Sequence, residues 1–124
     1  MNLQESGEMY LETILILSEK LQNVRSIDIA DYMSFSKPAI SRAMKSLKKD
    51  GYITIDDKGY ITLLPQGREI ASKIYERHTL LTDFLVKLGV DEKTAAEDAC
   101  KIEHDISDKS FSAIKSMYMK TIVL

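Results

Sequence analysis

One interruption governs what this chain can fold into. Tyr52-Ile53-Thr54-Ile55 and Tyr60-Ile61-Thr62-Leu63 are β-branched and aromatic runs, separated by the polar stretch Asp56-Asp57-Lys58-Gly59. Two such runs around a glycine-ended turn predict a two-stranded hairpin. The segments on both sides keep helical spacing instead. The fold class that follows is mainly α with a small β-hairpin.

Upstream of the hairpin the pattern predicts three helices. From Glu8 to Leu21 the apolar positions Met9, Leu11, Ile14, Leu15, Leu17 and Leu21 recur at helical spacing, with Ser6 as the expected N-cap. Ser26 opens a short second helix with Asp28 in its first turn and Ile27, Ile29, Ala30 and Met33 as its apolar face. After the tight connection Ser34–Ser36, Pro38 stands near the first position of a third helix running to about Lys49, and Gly51 supplies a left-handed stop.

Downstream, Pro65-Gln66-Gly67 leads into a long helix to about Leu88, with Ile70, Ile74, Leu81, Phe84, Leu85 and Leu88 on its apolar stripe and Gly89 ending it. Asp91 caps a further helix to about Ile106, and Ser107 or Asp108 starts a last one containing Phe111, Ile114, Met117 and Tyr118. Three helices followed by a hairpin is the winged helix-turn-helix order, expected over residues 1–64. Residues 65–124 are then a helical dimerisation and sensing region.

Composition narrows the class. At 124 residues the chain can hold one compact domain, or a small one with a helical extension. Its 44% hydrophobic and 29% charged residues are those of a folded globular protein. Cys100 is the single cysteine, so no intrachain disulfide can form, and the N-terminus lacks a basic, apolar and small-residue leader pattern. A reducing cytoplasmic location is expected. The longest apolar run, near Ile14–Leu17, is far short of the roughly 20 residues needed to span a bilayer, so no membrane role is expected.

Net charge is -2, which gives no general attraction to nucleic acid. The charge is unevenly placed, however. Between Ser36 and Lys49 stand Lys37, Arg42, Lys45, Lys48 and Lys49 with no acidic residue among them. In the third helix Ala39, Ile40, Ala43, Met44 and Leu47 form a buried face, and Ser36, Lys37, Ser41, Arg42, Lys45 and Lys48 fall opposite. A recognition helix presents small polar and basic side chains at its N-terminal end because that end enters the major groove. Ser36, Lys37, Ser41 and Arg42 are thus candidates for base or phosphate contact, and Pro38 and Ala39 can touch a thymine methyl. Lys45 and Lys48 suit phosphates, and Lys58 at the hairpin tip can reach the backbone or minor groove. A basic helix can also be no more than a solvated face; the neighbouring short helix and hairpin favour double-stranded DNA as partner.

A second constellation lies downstream. Cys100, Glu103 and His104 stand at i, i+3 and i+4, so one helix face presents a thiol, a carboxylate and an imidazole. Such a mixture suits a first-row transition metal. Met9 and Glu12, three apart on the first helix, and His78 in the long helix could add to it. Taken singly, each has a plainer reading: a buried cysteine is usually a small hydrophobe, Met9 a core residue, and His78 a hydrogen-bonded one.

Glu8-Met9-Tyr10-Leu11, Arg77-His78, Ala99-Cys100-Lys101-Ile102-Glu103-His104 with Ser107-Asp108, and Ser36-Lys37-Pro38-Ala39-Ile40-Ser41 together resemble the diphtheria toxin repressor family, which includes the manganese transport regulators. The resemblance covers nearly the whole chain. It implies a short form without the SH3-like domain of longer members, and a metal-dependent regulator that is not an enzyme. Met9, Cys100, Glu103 and His104 match the primary site of iron-responsive members, while Glu12 and His78 match ligands of manganese-responsive ones. The chain is thus a hybrid, and Thr82 and Ala96 stand where the iron branch carries ancillary ligands.

Thioether and thiolate donors rank Fe²⁺ first and Mn²⁺ second, with Zn²⁺, Co²⁺ or Ni²⁺ able to bind in vitro. The resemblance further implies a homodimer on operator DNA that represses metal-uptake genes when loaded. Two other classes compete: a metal-independent winged-helix regulator sensing a small molecule or redox state through Cys100, and a small metalloenzyme. The basic helix, and the lack of a phosphate loop or nucleophile elbow, argue against the enzyme.

Overall fold

The computed structural model describes residues 3–123, with side chains described to residue 120. The chain runs α1 (Glu5–Lys20), α2 (Ser26–Met33), α3 (Lys37–Lys49), β1 (Ile53–Ile55), β2 (Ile61–Leu63), α4 (Pro65–Lys87), α5 (Glu92–Asp105) and α6 (Asp108–Val123). Two compact units divide it, one through Lys73 and the other from Ile74, so the division falls inside α4.

In the first unit α1 begins at Glu5 after Gln4, with no side-chain cap, rather than behind Ser6. Glu5 and Glu8 in the first turn favour the positive end of the helix electrostatically, which supports a start ahead of the serine. α2 opens at Ser26, where the Asp28 carboxylate accepts from the Arg25 backbone N–H at 2.9 Å. Ile29 and Ala30 are buried, but Ile27, expected beside them, is 36% exposed. Two residues amount to about 200° of helix rotation, so Ile27 sits at the edge of the stripe rather than on it.

α3 starts as its sequence dictates: Ser36 Oγ accepts from the Ala39 N–H at 3.3 Å, and Pro38 occupies the first turn. Ile40, Met44 and Leu47 are buried while Ala39 and Ala43 are half-buried. The strands pair antiparallel with Ile53 opposite Leu63, Thr54 opposite Thr62 and Ile55 opposite Ile61. Ile53, Ile61 and Leu63 face the core and the two threonines face out, the period-two alternation of a half-buried hairpin. Val24 adds one isolated bridge to Ile61, whose N–H donates to Val24 O at 2.7 Å. α4 leaves the hairpin at Gly67, where a Cβ would lie 2.2 Å from the Tyr52 carbonyl oxygen. Only glycine lets the helix start so close to the strand.

In the second unit Leu80, Leu81, Ala99 and Phe111 form a buried cluster, with Ile102, Ile106, Ile114 and Tyr118 packed partly against it. Gly89, at φ 108, reverses the chain after α4. Asp91 then caps α5 by accepting from the Thr94 N–H at 3.0 Å, and Ser107 Oγ accepts from the Ser110 N–H at 3.1 Å ahead of α6. Leu88 is 66% exposed and Met117 56% exposed, although spacing put both on apolar stripes. Leu88 lies past the end of α4, where helical periodicity no longer governs its direction. Among the described residues no helix is long and apolar enough to cross a membrane.

Candidate functional site

The last two turns of α5 carry the donors. One ligand atom each from Cys100, Glu103 and His104 lies within 4.8 Å of the others. Donors sharing an ion through bonds of about 2.0–2.3 Å are separated by at most about twice that length, so a small closure suffices. Cys100 is half-buried, and the side chains of Glu103 and His104 are 0% and 1% exposed.

Glu103 is the unusual member. Its Oε2 meets His78 Nδ1 of α4 at 2.8 Å. His104 Nε2 comes within 3.3 Å of Oε1 without hydrogen-bond geometry, and no hydrogen bond reaches Oε1 among the described residues. A buried acceptor without a hydrogen bond costs about 1–3 kcal/mol. A divalent cation would satisfy that oxygen, and thiol, carboxylate and imidazole are the donors that a first-row transition ion takes. The residues therefore fit a metal.

Thr82 Oγ1 donates to His78 O at 2.7 Å, one turn back along α4. The hydroxyl is thus committed to its own helix, and Ala96 offers no donor atom. Met9 and Glu12 are half-buried on α1, in the first unit, while His78, Cys100, Glu103 and His104 belong to the second.

The candidate DNA face lies entirely within the first unit. Ser36, Lys37, Pro38, Arg42, Lys45 and Lys48 are exposed along α3, with Ala39 and Ser41 half-buried between them. Lys58 is exposed at the hairpin tip, where Asp56 Oδ1 accepts from both the Lys58 and Tyr60 N–H groups at 2.9 and 2.8 Å. Asp56 thus organises the tip, but with Asp57 it sets two carboxylates against one ammonium. Like charge weakens any attraction between this tip and a phosphate.

One exposed cation escaped the sequence reading. Arg25 Nη2 lies 3.3 Å from Tyr60 Oη and its guanidinium 4.9 Å from the Tyr60 ring centroid, tying the start of α2 to the wing. No local pattern marks it, because the pairing spans 35 residues.

A winged helix in one unit and a buried, metal-fitting donor cluster in the other define a class: metal-responsive regulators of transcription. Comparison with known proteins names the family. Residues 2–61 match the N-terminal DNA-binding domain of the iron-dependent repressors, and residues 64–121 match their metal-binding and dimerisation domain. The chain belongs to the iron-dependent repressor family, whose members are metal-dependent transcriptional regulators and not enzymes.

It is 36% identical over 115 residues to an uncharacterised HTH-type transcriptional regulator of Methanocaldococcus jannaschii, covering 91% of this chain and 92% of that one. It is 32% identical over 112 residues to the HTH-type transcriptional regulator MntR of Lysinibacillus sphaericus, covering 90% and 81%. The solved structure of the manganese regulator SloR superposes with a TM-score of 0.79 at 30% identity, covering 94% of this chain and 54% of that one. A manganese-dependent transcriptional repressor in complex with manganese gives 0.80 at 28%, covering 90% and 52%. The chain spans about half the length of these two solved proteins.

Proposed function

We propose that the chain is a cytoplasmic homodimeric repressor of metal-uptake genes, activated by Fe²⁺ in preference to Mn²⁺. The observation that carries this is the convergence of Cys100, Glu103 and His104 donors within 4.8 Å, with a buried Glu103 oxygen that no hydrogen bond reaches among the described residues. His78, Met9 and Glu12 complete the ligand set. These side chains would hold a divalent ion, which would supply Lewis-acidic charge to the donors. Residues 1–64 then act as the reader and 65–124 as the sensor.

The reader uses Ser36, Lys37, Pro38, Ala39, Ser41 and Arg42 at base edges and nearby phosphates, and Lys45, Lys48 and Lys58 on phosphates alone. In a dimer two such readers must match half-sites about 34 Å apart, or a multiple of that. A metal would favour the DNA-competent arrangement to the extent that this arrangement binds it more tightly.

Ligand softness supports Fe²⁺ first, since Mn²⁺ prefers oxygen donors and this chain offers a thiol and a thioether. Similarity to the manganese regulator SloR and to a manganese-dependent repressor solved with manganese favours Mn²⁺ instead. DNA selected from a random duplex library with metal-loaded protein, then titrated anaerobically with Fe²⁺ and Mn²⁺, separates the two. Glu103→Ala and His104→Ala should abolish metal-dependent retention while the fold persists. Retention that still responds to metal in both variants would overturn the ligand assignment.

A further inference from the structure

Two consecutive residues of α4 hold the same residue of α5. His78 meets the Glu103 side chain at 2.8 Å, and Arg77 Nη1 donates to the Glu103 backbone carbonyl at 3.0 Å. The same nitrogen donates to Ile106 O at 2.7 Å, and Nη2 donates to Asp108 Oδ1 at 2.5 Å. The guanidinium also lies 5.5 Å from the centroid of the Phe111 ring. Its side chain is 5% exposed, and no hydrogen bond reaches its Nε among the described residues.

Burying a guanidinium is expensive unless its geometry does something for the fold. Here it caps the end of a helix. Within α5 the N–H of Ile106 already bonds Ile102 O, which leaves Glu103 O among the final carbonyls that have no partner inside the helix. A cation at that end also meets the negative pole of the helix. Only a planar fork reaches two carbonyls and a carboxylate from one position; an ammonium is a single point. The turn fixed in this way carries Glu103 and His104, with Cys100 one turn before.

We propose that Arg77 is a positioning residue for the metal centre: it locks the last turn of α5, and with it the Cys100, Glu103 and His104 donors, without touching the ion. This rests on the reading of those three residues as ligands. His78 orients the Glu103 carboxylate, and Arg77 orients the backbone from which that carboxylate projects. Outer residues that orient metal ligands change affinity by about 10–100-fold when replaced.

The test is an anaerobic Co²⁺ titration of the full chain, at a temperature where far-UV circular dichroism shows each variant folded. Arg77→Lys, Asp108→Asn and His104→Ala are compared with the parent. Dissociation constant and thiolate-to-cobalt charge-transfer intensity at saturation are read together. Arg77→Lys should weaken Co²⁺ by about 10–100-fold and lower the charge-transfer band. Asp108→Asn keeps both carbonyl bonds and should weaken Co²⁺ several-fold. His104→Ala should lose binding.

A folded Arg77→Lys with parental affinity and spectrum, beside a His104→Ala that loses binding, refutes the positioning role and leaves the ligand assignment standing. Should Arg77→Lys fail to fold, Asp108→Asn decides: parental affinity there refutes the role, and weakened affinity supports it. Parental binding by His104→Ala overturns the ligand assignment, and the inference with it.

Discussion

Replacing Glu103 by glutamine separates a metal ligand from a structural carboxylate. One carboxylate oxygen meets His78 at 2.8 Å and no hydrogen bond reaches the other among the described residues, with the side chain 0% exposed. Glutamine retains an oxygen for His78 and removes the buried charge. The amide NH₂ that takes the other oxygen's place is itself a buried group needing acceptors, so it offsets the relief from removing the charge, and without added metal the variant should stay within about 1 kcal/mol of the parent's stability. With ion present the two separate. At 100 times the dissociation constant a bound ion stabilises the folded state by about 2.7 kcal/mol, or about 10 °C at roughly 4 °C per kcal/mol for a chain of this size. A hundredfold loss of affinity leaves about 0.4 kcal/mol at the same ion concentration, a rise of about 1–2 °C. Differential scanning calorimetry with and without Mn²⁺ or Co²⁺, set from the parent's measured affinity, reads both effects. A variant that keeps the full metal-dependent rise would refute Glu103 as a ligand. One that melts well below the parent without metal would refute the offset between lost charge and buried amide.

Three further outcomes follow from particular contacts. Arg42→Ala should weaken DNA binding and lower the salt slope by about one unit, measured by fluorescence anisotropy across salt concentrations, while Co²⁺ affinity holds; an unchanged slope removes Arg42 from the interface. Gly67→Ala drives a methyl to within 2.2 Å of the Tyr52 carbonyl oxygen, so it should cost about 1–3 kcal/mol, and an unmoved urea midpoint would show that α4 can shift its start. Hydrogen bonds from Lys87 and Tyr118 hold the Asp83 carboxyl below the ordinary carboxylate range; the stability this contributes is present above the unfolded value and is lost as pH falls through the folded one. In a carbon-detected NMR titration Tyr118→Phe should move Asp83 back up toward the ordinary value, and an unmoved titration would exclude the phenol as its partner.

The fold was legible wherever a local rule had no competitor. Ser36 and Pro38 together start α3, Asp91 starts α5, and the hairpin follows from two β-branched runs around a glycine-ended turn. The start of α1 was missed because Ser6 looks like a cap, while the charges that permit an earlier start, Glu5 and Glu8, act diffusely. Ile27, Leu88 and Met117 were misread for a shared reason: periodicity assumes a continuous buried stripe, and these lie at its edge or beyond the helix end. For the candidate site, spacing on α5 brought Cys100, Glu103 and His104 to one face. It could not reveal that Glu103 is wholly buried with one unsatisfied oxygen, or that Arg77 grips its backbone, because both depend on pairings 25 or 26 residues apart.

The distribution of charge on the reader explains why a metal lever would be needed at all. The chain's net charge is -2, and the wing tip sets two carboxylates against its single lysine, so attraction to the phosphate backbone rests chiefly on the five cations of α3. On the proposed function, a lone reader of this kind would bind DNA weakly. Two readers held at the correct separation bind far better, because the second contact forms at the high effective concentration set by the first, and the advantage vanishes when geometry forbids both at once. A strongly basic reader would hold DNA regardless of its partner's stance, and would mute any signal from the sensor. On the proposed function, the chain's lack of net positive charge would complement a sensor that works by orientation: the weaker each separate contact, the larger the share of affinity that a bound ion could switch.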